Sequence, residues 1–352
     1  MTLRNSSKQR VLVPAHWGFI LQASMLLCLI GCSRAGDHVA AGAPAARQTT
    51  QADAARTPLE IETPDLSARL YLPDTPDPQP VILVIGGSEG GLRGSGKLAQ
   101  SLANAGFAAL AVAYFDHQAL PAQLMEIPLE RFDTALAWLR AEPRVLGTRI
   151  GIVGVSKGAE AALLVASVSK HIAAVVAASP SNVVWQAIDQ TNWSERSSWT
   201  RGGVPLEFVR YDFEGPMWPL LDMYARSLAA SDRLHDASIP VAEISAPLLL
   251  ISGSMDQLWP STDMGKAVVE TMRAGGRTAV THLRYADAGH SVFGKPFDPA
   301  KVDSYTVTGL GGSVGSNLAA RVDGWPRVLT FLNANLRPSP TTERAPAASA
   351  SP

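Results

Sequence analysis

Residues 149–167, RIGIVGVSKGAEAALLVAS, run from an apolar strand straight into a helix of small residues, with a serine on the corner. Both elements are apolar enough to be buried, so this stretch belongs inside a layered α/β structure rather than on its surface. The corner itself, Gly154-Val155-Ser156-Lys157-Gly158, has the form of a nucleophile elbow. A serine that attacks a carbonyl needs its Oγ clear of the backbone, and a tight strand-to-helix turn supplies that. Glycines two residues either side leave room for the neighbouring chain. The backbone N–H of Lys157, at the helix start, is then aimed at a developing oxyanion.

The five-residue pattern alone does not decide the matter. Gly86-Gly87-Ser88-Glu89-Gly90 and Gly311-Gly312-Ser313-Val314-Gly315 also match it, in a chain with 29 glycines. Context separates them. Ser313 follows no apolar strand, and Ser88 is followed by more glycines instead of a helix. Ser156 has a strand before it and a helix after it, and is the expected nucleophile.

Apolar, β-branched runs lie at 59–63, 67–72, 81–85, 107–113, 149–155, 172–178, 247–252 and 279–285. Helical patterns alternate with them at 95–105, 127–140, 157–168, 261–274 and 316–335. This alternation predicts a mostly parallel eight-stranded sheet with helices on both faces. The long interval 179–240 holds Trp185, Trp193, Trp199 and Trp218 and reads as a small lid insert. Trp185 is the tryptophan expected to line the substrate pocket.

The ends of the chain read differently. Arg4, Lys8 and Arg10 precede an apolar stretch that ends in Leu29-Ile30-Gly31-Cys32. Residues 1–31 thus have the form of a bacterial lipoprotein signal, with Cys32 as the lipidated residue and the membrane as a partner. Ser33, in place of an aspartate, favours the outer over the inner membrane of the cell envelope. Processing would remove Cys28 and consume Cys32, leaving no thiol for a disulfide, a metal or catalysis. Residues 32–58 read as a tether and 337–352 as a tail, so 59–336 is the single folded domain. A formal net charge of −1 gives no basis for binding nucleic acid.

A serine nucleophile needs a base, and the base an orienting acid. His290, in Ala288-Gly289-His290-Ser291, follows the last strand, where a base can come in over the nucleophile. Asp256 follows the strand 247–252 after a glycine turn and is the expected acid; Asp287 is its rival. His117, after the fourth strand, is the expected substrate contact. The glycine-rich loop 86–91 follows the third strand and supplies the second oxyanion donor, Ser88, with Glu89 as alternative. Other readings fit less well. Gly91–Leu98 nearly spells a phosphate-binding loop but has Leu98 where a Mg²⁺-binding hydroxyl belongs, and no zinc motif is present, so no cofactor is expected. A lipid-anchored binding protein without catalysis has no use for all three of Ser156, Asp256 and His290.

The block from Ile239-Pro240-Val241 to Leu258-Trp259-Pro260-Ser261, with GVSKGAEAALLVAS and AGHSVF, resembles one family. It is similar to the catalytic domain of acyl-CoA thioesterases and bile-acid-CoA:amino-acid N-acyltransferases, over about Val81 to Leu336. More distantly it resembles dienelactone-hydrolase-like esterases. The resemblance implies an α/β-hydrolase fold and maps Ser156, Asp256 and His290 onto nucleophile, acid and base. It implies a small-molecule acyl ester or thioester as substrate. Acyltransferase members use cysteine, so serine here implies water as the acceptor. Residues 59–80 are too short for the N-terminal β-sandwich of the animal members.

Overall fold

The computed structural model describes residues 57–337 apart from Gln190 and Trp193. Cys32, the signal, most of the tether and the tail after Arg337 lie outside the described residues.

In chain order the strands are β1 (Leu59–Thr63), β2 (Leu66–Tyr71), β3 (Gln79–Ile85), β4 (Ala108–Ala113), β5 (Ile127–Pro128) and β6 (Val145–Val155). They continue with β7 (Ile172–Ala178), β8 (Trp199–Arg201), β9 (Val204–Pro205), β10 (Leu248–Gly253) and β11 (Val280–Tyr285). The helices are α1 (Arg93–Ala103), α2 (Glu130–Ala141), α3 (Lys157–Val168), α4 (Leu220–Ala230), α5 (Ser261–Ala274), α6 (Ser304–Thr308) and α7 (Val314–Leu336).

Eight strands form one sheet in the order β1-β2-β4-β3-β6-β7-β10-β11. β1 and β2 run antiparallel, and from β4 to β11 every pairing is parallel. Parallel strands are joined by crossovers that place helices on both faces, so the central strands carry continuous aliphatic runs such as Val81–Ile85. On one face Phe132 of α2, Leu163 of α3 and Val268 of α5 enter the core. On the other, Leu102 of α1 and Val328 and Leu332 of α7 do so. This is the expected α/β-hydrolase architecture, and each of the eight main strands falls within two residues of its predicted start, except β6, which begins earlier.

One local expectation needs correction. Residues 127–129 do not begin a helix. Ile127 and Leu129 instead donate to the carbonyls of Ser198 and Thr200, which builds the small sheet β5-β8-β9. Pro128 between them lacks an N–H and suits this short edge better than a helix interior. The interval 179–240 also holds regular structure, the helix α4, whose Met223 and Tyr224 enter a separate aromatic cluster with Trp185, Tyr211 and Trp259.

Candidate active site

The corner after β6 is strained in the way a protruding nucleophile requires. Ser156 has φ 57° and ψ −122°, a region that L-residues rarely adopt. Its N–H is tied to the Ala178 carbonyl on β7 at 2.9 Å, and its carbonyl accepts from Ala159 as α3 begins. A Cβ on Gly154 would collide with the Gly158 carbonyl, and one on Gly158 with the carbonyls of Ile85 and Gly86. Both flanking glycines are therefore required by close backbone approach. The residue is 6% exposed, and its Oγ forms no hydrogen bond with a described residue.

The β3–α1 loop lies beside it. A Cβ on Gly87 would sit 3.3 Å from Ser156 Cβ. Tyr114 Oη lies 2.8 Å from the carbonyls of both Gly86 and Gly87, which share its single proton. Across a trans peptide the N–H lies opposite the carbonyl, so the N–H groups of Gly87 and Ser88 face away from Tyr114. Burial pushes the Tyr114 hydroxyl well up, which keeps it a donor. Tyr114 was not singled out from sequence; its signal is a lone phenol at the end of the apolar run AALAVAYF. Glu89 folds its carboxylate back over Gly86 and Gly87. Burial raises its pKa, opposed by the N–H groups of Glu89 and Gly87 and by the charge of His290. The residue as a whole is nonetheless exposed.

His290 and Asp256 meet as expected. His290 Nδ1 lies 2.8 Å from Asp256 Oδ2, with the residues 9% and 3% exposed. Asp256 is fixed by Leu258 and Trp259 N–H groups on Oδ1 and by Ser261 Oγ, at 2.7 Å, on Oδ2. Asp287 is exposed and is not brought to the base. The His290 carbonyl accepts from Ser179 Oγ, just past β7, which holds the base loop over the strand ends next to Ser156.

A buttress behind this pair went unread in the sequence. Leu310 O accepts from the N–H of both Gln257 and His290. Asn317, fully buried on α7, accepts from Gly289 N–H at 2.7 Å and donates to Val307 and Gly311 carbonyls. Gly311, at φ 98°, packs where a Cβ would strike the Met255 carbonyl. The Gly311-Gly312-Ser313 match is thus structural: Ser313 caps α7 in a reciprocal capping box with Ser316.

Lys157 contributes more than its backbone. Its side chain is 1% exposed, and Nζ contacts both Glu160 oxygens at 2.8 and 2.7 Å and Ser198 Oγ at 2.9 Å. Glu160 also accepts from Trp185 N–H and Trp199 Nε1. Burial pushes the amine down and the carboxyl up, each opposed by the other's charge. Opposite charges three residues apart in an otherwise apolar helix were the available signal.

Two expected substrate contacts are not brought to Ser156. His117 faces Glu62 at 3.3 Å, on the outermost strand. Trp185 is fully buried and stacks on Trp259 at 6.4 Å; Trp259, in turn, packs against His290 at 6.0 Å. The tryptophan against the base is thus Trp259, and Trp185 packs behind it. Trp199 packs on Phe132, whereas Trp218 is exposed; Trp193 lies outside the described residues.

With this geometry in hand, comparison with known proteins places the chain. Mouse acyl-coenzyme A thioesterase 5 is 31% identical over 281 residues, covering 78% of this chain and 65% of that protein. Human acyl-coenzyme A thioesterase 6 is 29% identical over 278 residues, covering 76% and 63%. The chain thus spans less than two thirds of the length of these relatives. Among solved structures, the Pyrococcus horikoshii acylaminoacyl peptidase superposes with a TM-score of 0.54 at 14% identity, over 80% of this chain and 42% of that one. The 2,6-dihydroxy-pseudo-oxynicotine hydrolase gives 0.50 at 14% identity, over 80% and 68%. These two show the fold. The model of the BAAT / acyl-CoA thioester hydrolase C-terminal family matches residues 127–338, more than half of the sequence, and the chain belongs to that family.

Proposed function

We propose that the protein is a serine hydrolase of acyl thioesters and esters, working through Ser156, His290 and Asp256. The observation that carries this reading is the buried His290–Asp256 hydrogen bond, held over the strand ends beside the strained serine corner. Ser156 Oγ attacks the acyl carbonyl carbon and its proton passes to His290 Nε2. Asp256 fixes the imidazole tautomer and stabilises the imidazolium. The tetrahedral oxyanion accepts from the N–H groups of Lys157 and Ser88. Collapse expels the thiolate or alkoxide, which takes the proton from His290, and leaves an acyl-enzyme. Water, deprotonated by His290, then releases the acid and restores Ser156.

The relatives named as acyl-coenzyme A thioesterases support a thioester substrate. The tetrapeptide ending at Cys32 supports a second reading, a lipid-anchored envelope enzyme acting on esters outside the cytosol. One experiment separates them. The purified chain is given acyl-CoAs and 4-nitrophenyl esters of matched chain length, and cells are labelled with palmitate. Faster turnover of acyl-CoA, with no label at Cys32, supports the first reading. Palmitate on wild type but not on Cys32→Ser, with ester turnover dominant, supports the second. Turnover of neither substrate would contradict both.

A further inference from the structure

Beside the serine corner, between the β3–α1 loop and the segment after His290, is a cavity of about 310 Å³. Its volume lies within the range of small-molecule sites. Gly86 and Glu89 of the oxyanion loop line it, as does Val155, the residue before the nucleophile. Its charge is lopsided. Arg321, Lys97 and Lys295 all line it, and among the described residues none of the three has a carboxylate partner.

Arg321 is the informative one. It reaches in from α7, donates from Nε to the Ser291 carbonyl at 2.9 Å and lies over the Phe297 ring at 5.1 Å. Its remaining N–H groups have no acceptor among the described residues. A Cβ on Gly294 would sit 3.2 Å from Nη1, so glycine there admits the guanidinium. Burial lowers its pKa to about 10 with no acid offsetting the cost, and it remains charged at neutral pH. A half-buried guanidinium without a counter-ion is costly to maintain unless a ligand supplies one. Ser95, 2% exposed in the cavity lining, is a second and independent sign. Its Oγ is buried without a hydrogen-bond partner among the described residues. The one acid in the lining is Glu89, whose carboxylate is folded back against Gly86 and Gly94.

From this lining we infer that the cavity is a subsite for an oxyanion, a carboxylate or phosphate, carried by the substrate itself. Arg321 and Ser95 donate to it, and Lys97 and Lys295 add field. Gly86, Glu89 and Val155 of its lining adjoin the serine corner, and on that adjacency the anion is assigned to the molecule being cleaved. This rests on the hydrolase reading above. The anion can be on the acyl side or on the leaving group, and the two arms of the test tell these apart.

The acyl arm compares 4-nitrophenyl hydrogen adipate with its uncharged isostere 4-nitrophenyl 6-methylheptanoate. The leaving-group arm compares S-butyryl-3-mercaptopropionate with S-butyryl-N-acetylcysteamine. Each pair is run on wild type, on Arg321→Gln and on the exposed double variant Lys97→Gln/Lys295→Gln. The preference for the anionic member, as a ratio of kcat/KM, is expected to drop at least about tenfold in Arg321→Gln, chiefly through KM. It drops less in the double variant, and Arg321→Lys recovers part of it. The arm that responds names the side. Calorimetric titration with adipate gives a readout independent of turnover: binding to wild type that is weakened in Arg321→Gln supports the subsite even if no ester is cleaved. Ratios within twofold of wild type in both arms, or adipate binding equal in all variants, would overturn it.

Discussion

Asp256 Oδ2 lies 2.8 Å from His290 Nδ1 and also accepts from Ser261 Oγ, so one carboxylate oxygen both orients the base and is itself held in place. Replacing Asp256 by asparagine keeps the shape but favours the wrong imidazole tautomer. By analogy with the serine protease triad, kcat is expected to fall by about four orders of magnitude. Asp287→Asn, at an exposed position, should leave kcat near wild type. Steady-state kinetics with circular dichroism as a fold control checks both.

The glycines flanking Ser156 give a second expectation. Gly158→Ala drives a methyl into the Ile85 and Gly86 carbonyls, so the variant should lose soluble, folded protein. Gly315→Ala is the contrasting case. Its Cβ would meet only Ser313 Oγ at 3.9 Å, near the start of α7. That change should raise stability by up to about 0.5–1 kcal/mol, because alanine has less conformational freedom to lose. Soluble yield and circular dichroism check the first, and urea denaturation the second.

The Lys157–Glu160 pair predicts a non-additive double mutant. Glu160→Gln alone leaves a buried ammonium unpaired and should cost about 3–5 kcal/mol. Lys157→Met/Glu160→Gln removes the charge but keeps an amide oxygen for Trp199 Nε1, and should be more stable than Glu160→Gln. Equal or lower stability of the double variant would show that the pair is not the source of the cost.

His282 provides a pH dependence. Burial lowers its pKa from 6.5 to about 4, with Ser252 Oγ 2.8 Å from its Nε2. The folded state therefore favours the neutral ring. Its contribution is complete above the unfolded value of 6.5 and is lost as pH falls towards 4. The melting temperature of wild type should drop across that window more steeply than that of His282→Gln. Parallel curves would contradict this.

The sheet was legible because parallel strands covered on both faces need unbroken aliphatic runs, and Val81–Ile85 and Ile172–Ala178 are such runs. Ser156, Asp256 and His290 were legible because each sits at a strand end with turn residues around it. Depth and long-range contacts were not. Trp185 and Trp259 are alike as sequence, and only the packing of α4 and the strand ends places Trp259 against His290. Asn317 acts from α7 on Gly289, 28 residues earlier, which no local pattern records. His117 stands at the right strand end, but Glu62 of the antiparallel edge takes its side chain.

The most direct measurement is intact and peptide mass spectrometry of the chain after a fluorophosphonate. One phosphonyl adduct is expected, on the peptide containing Ser156, with no adduct and no turnover in Ser156→Ala and slower labelling in His290→Ala. An adduct on the Ser88 or Ser313 peptide, or undiminished labelling of Ser156→Ala, would contradict Ser156 as the nucleophile.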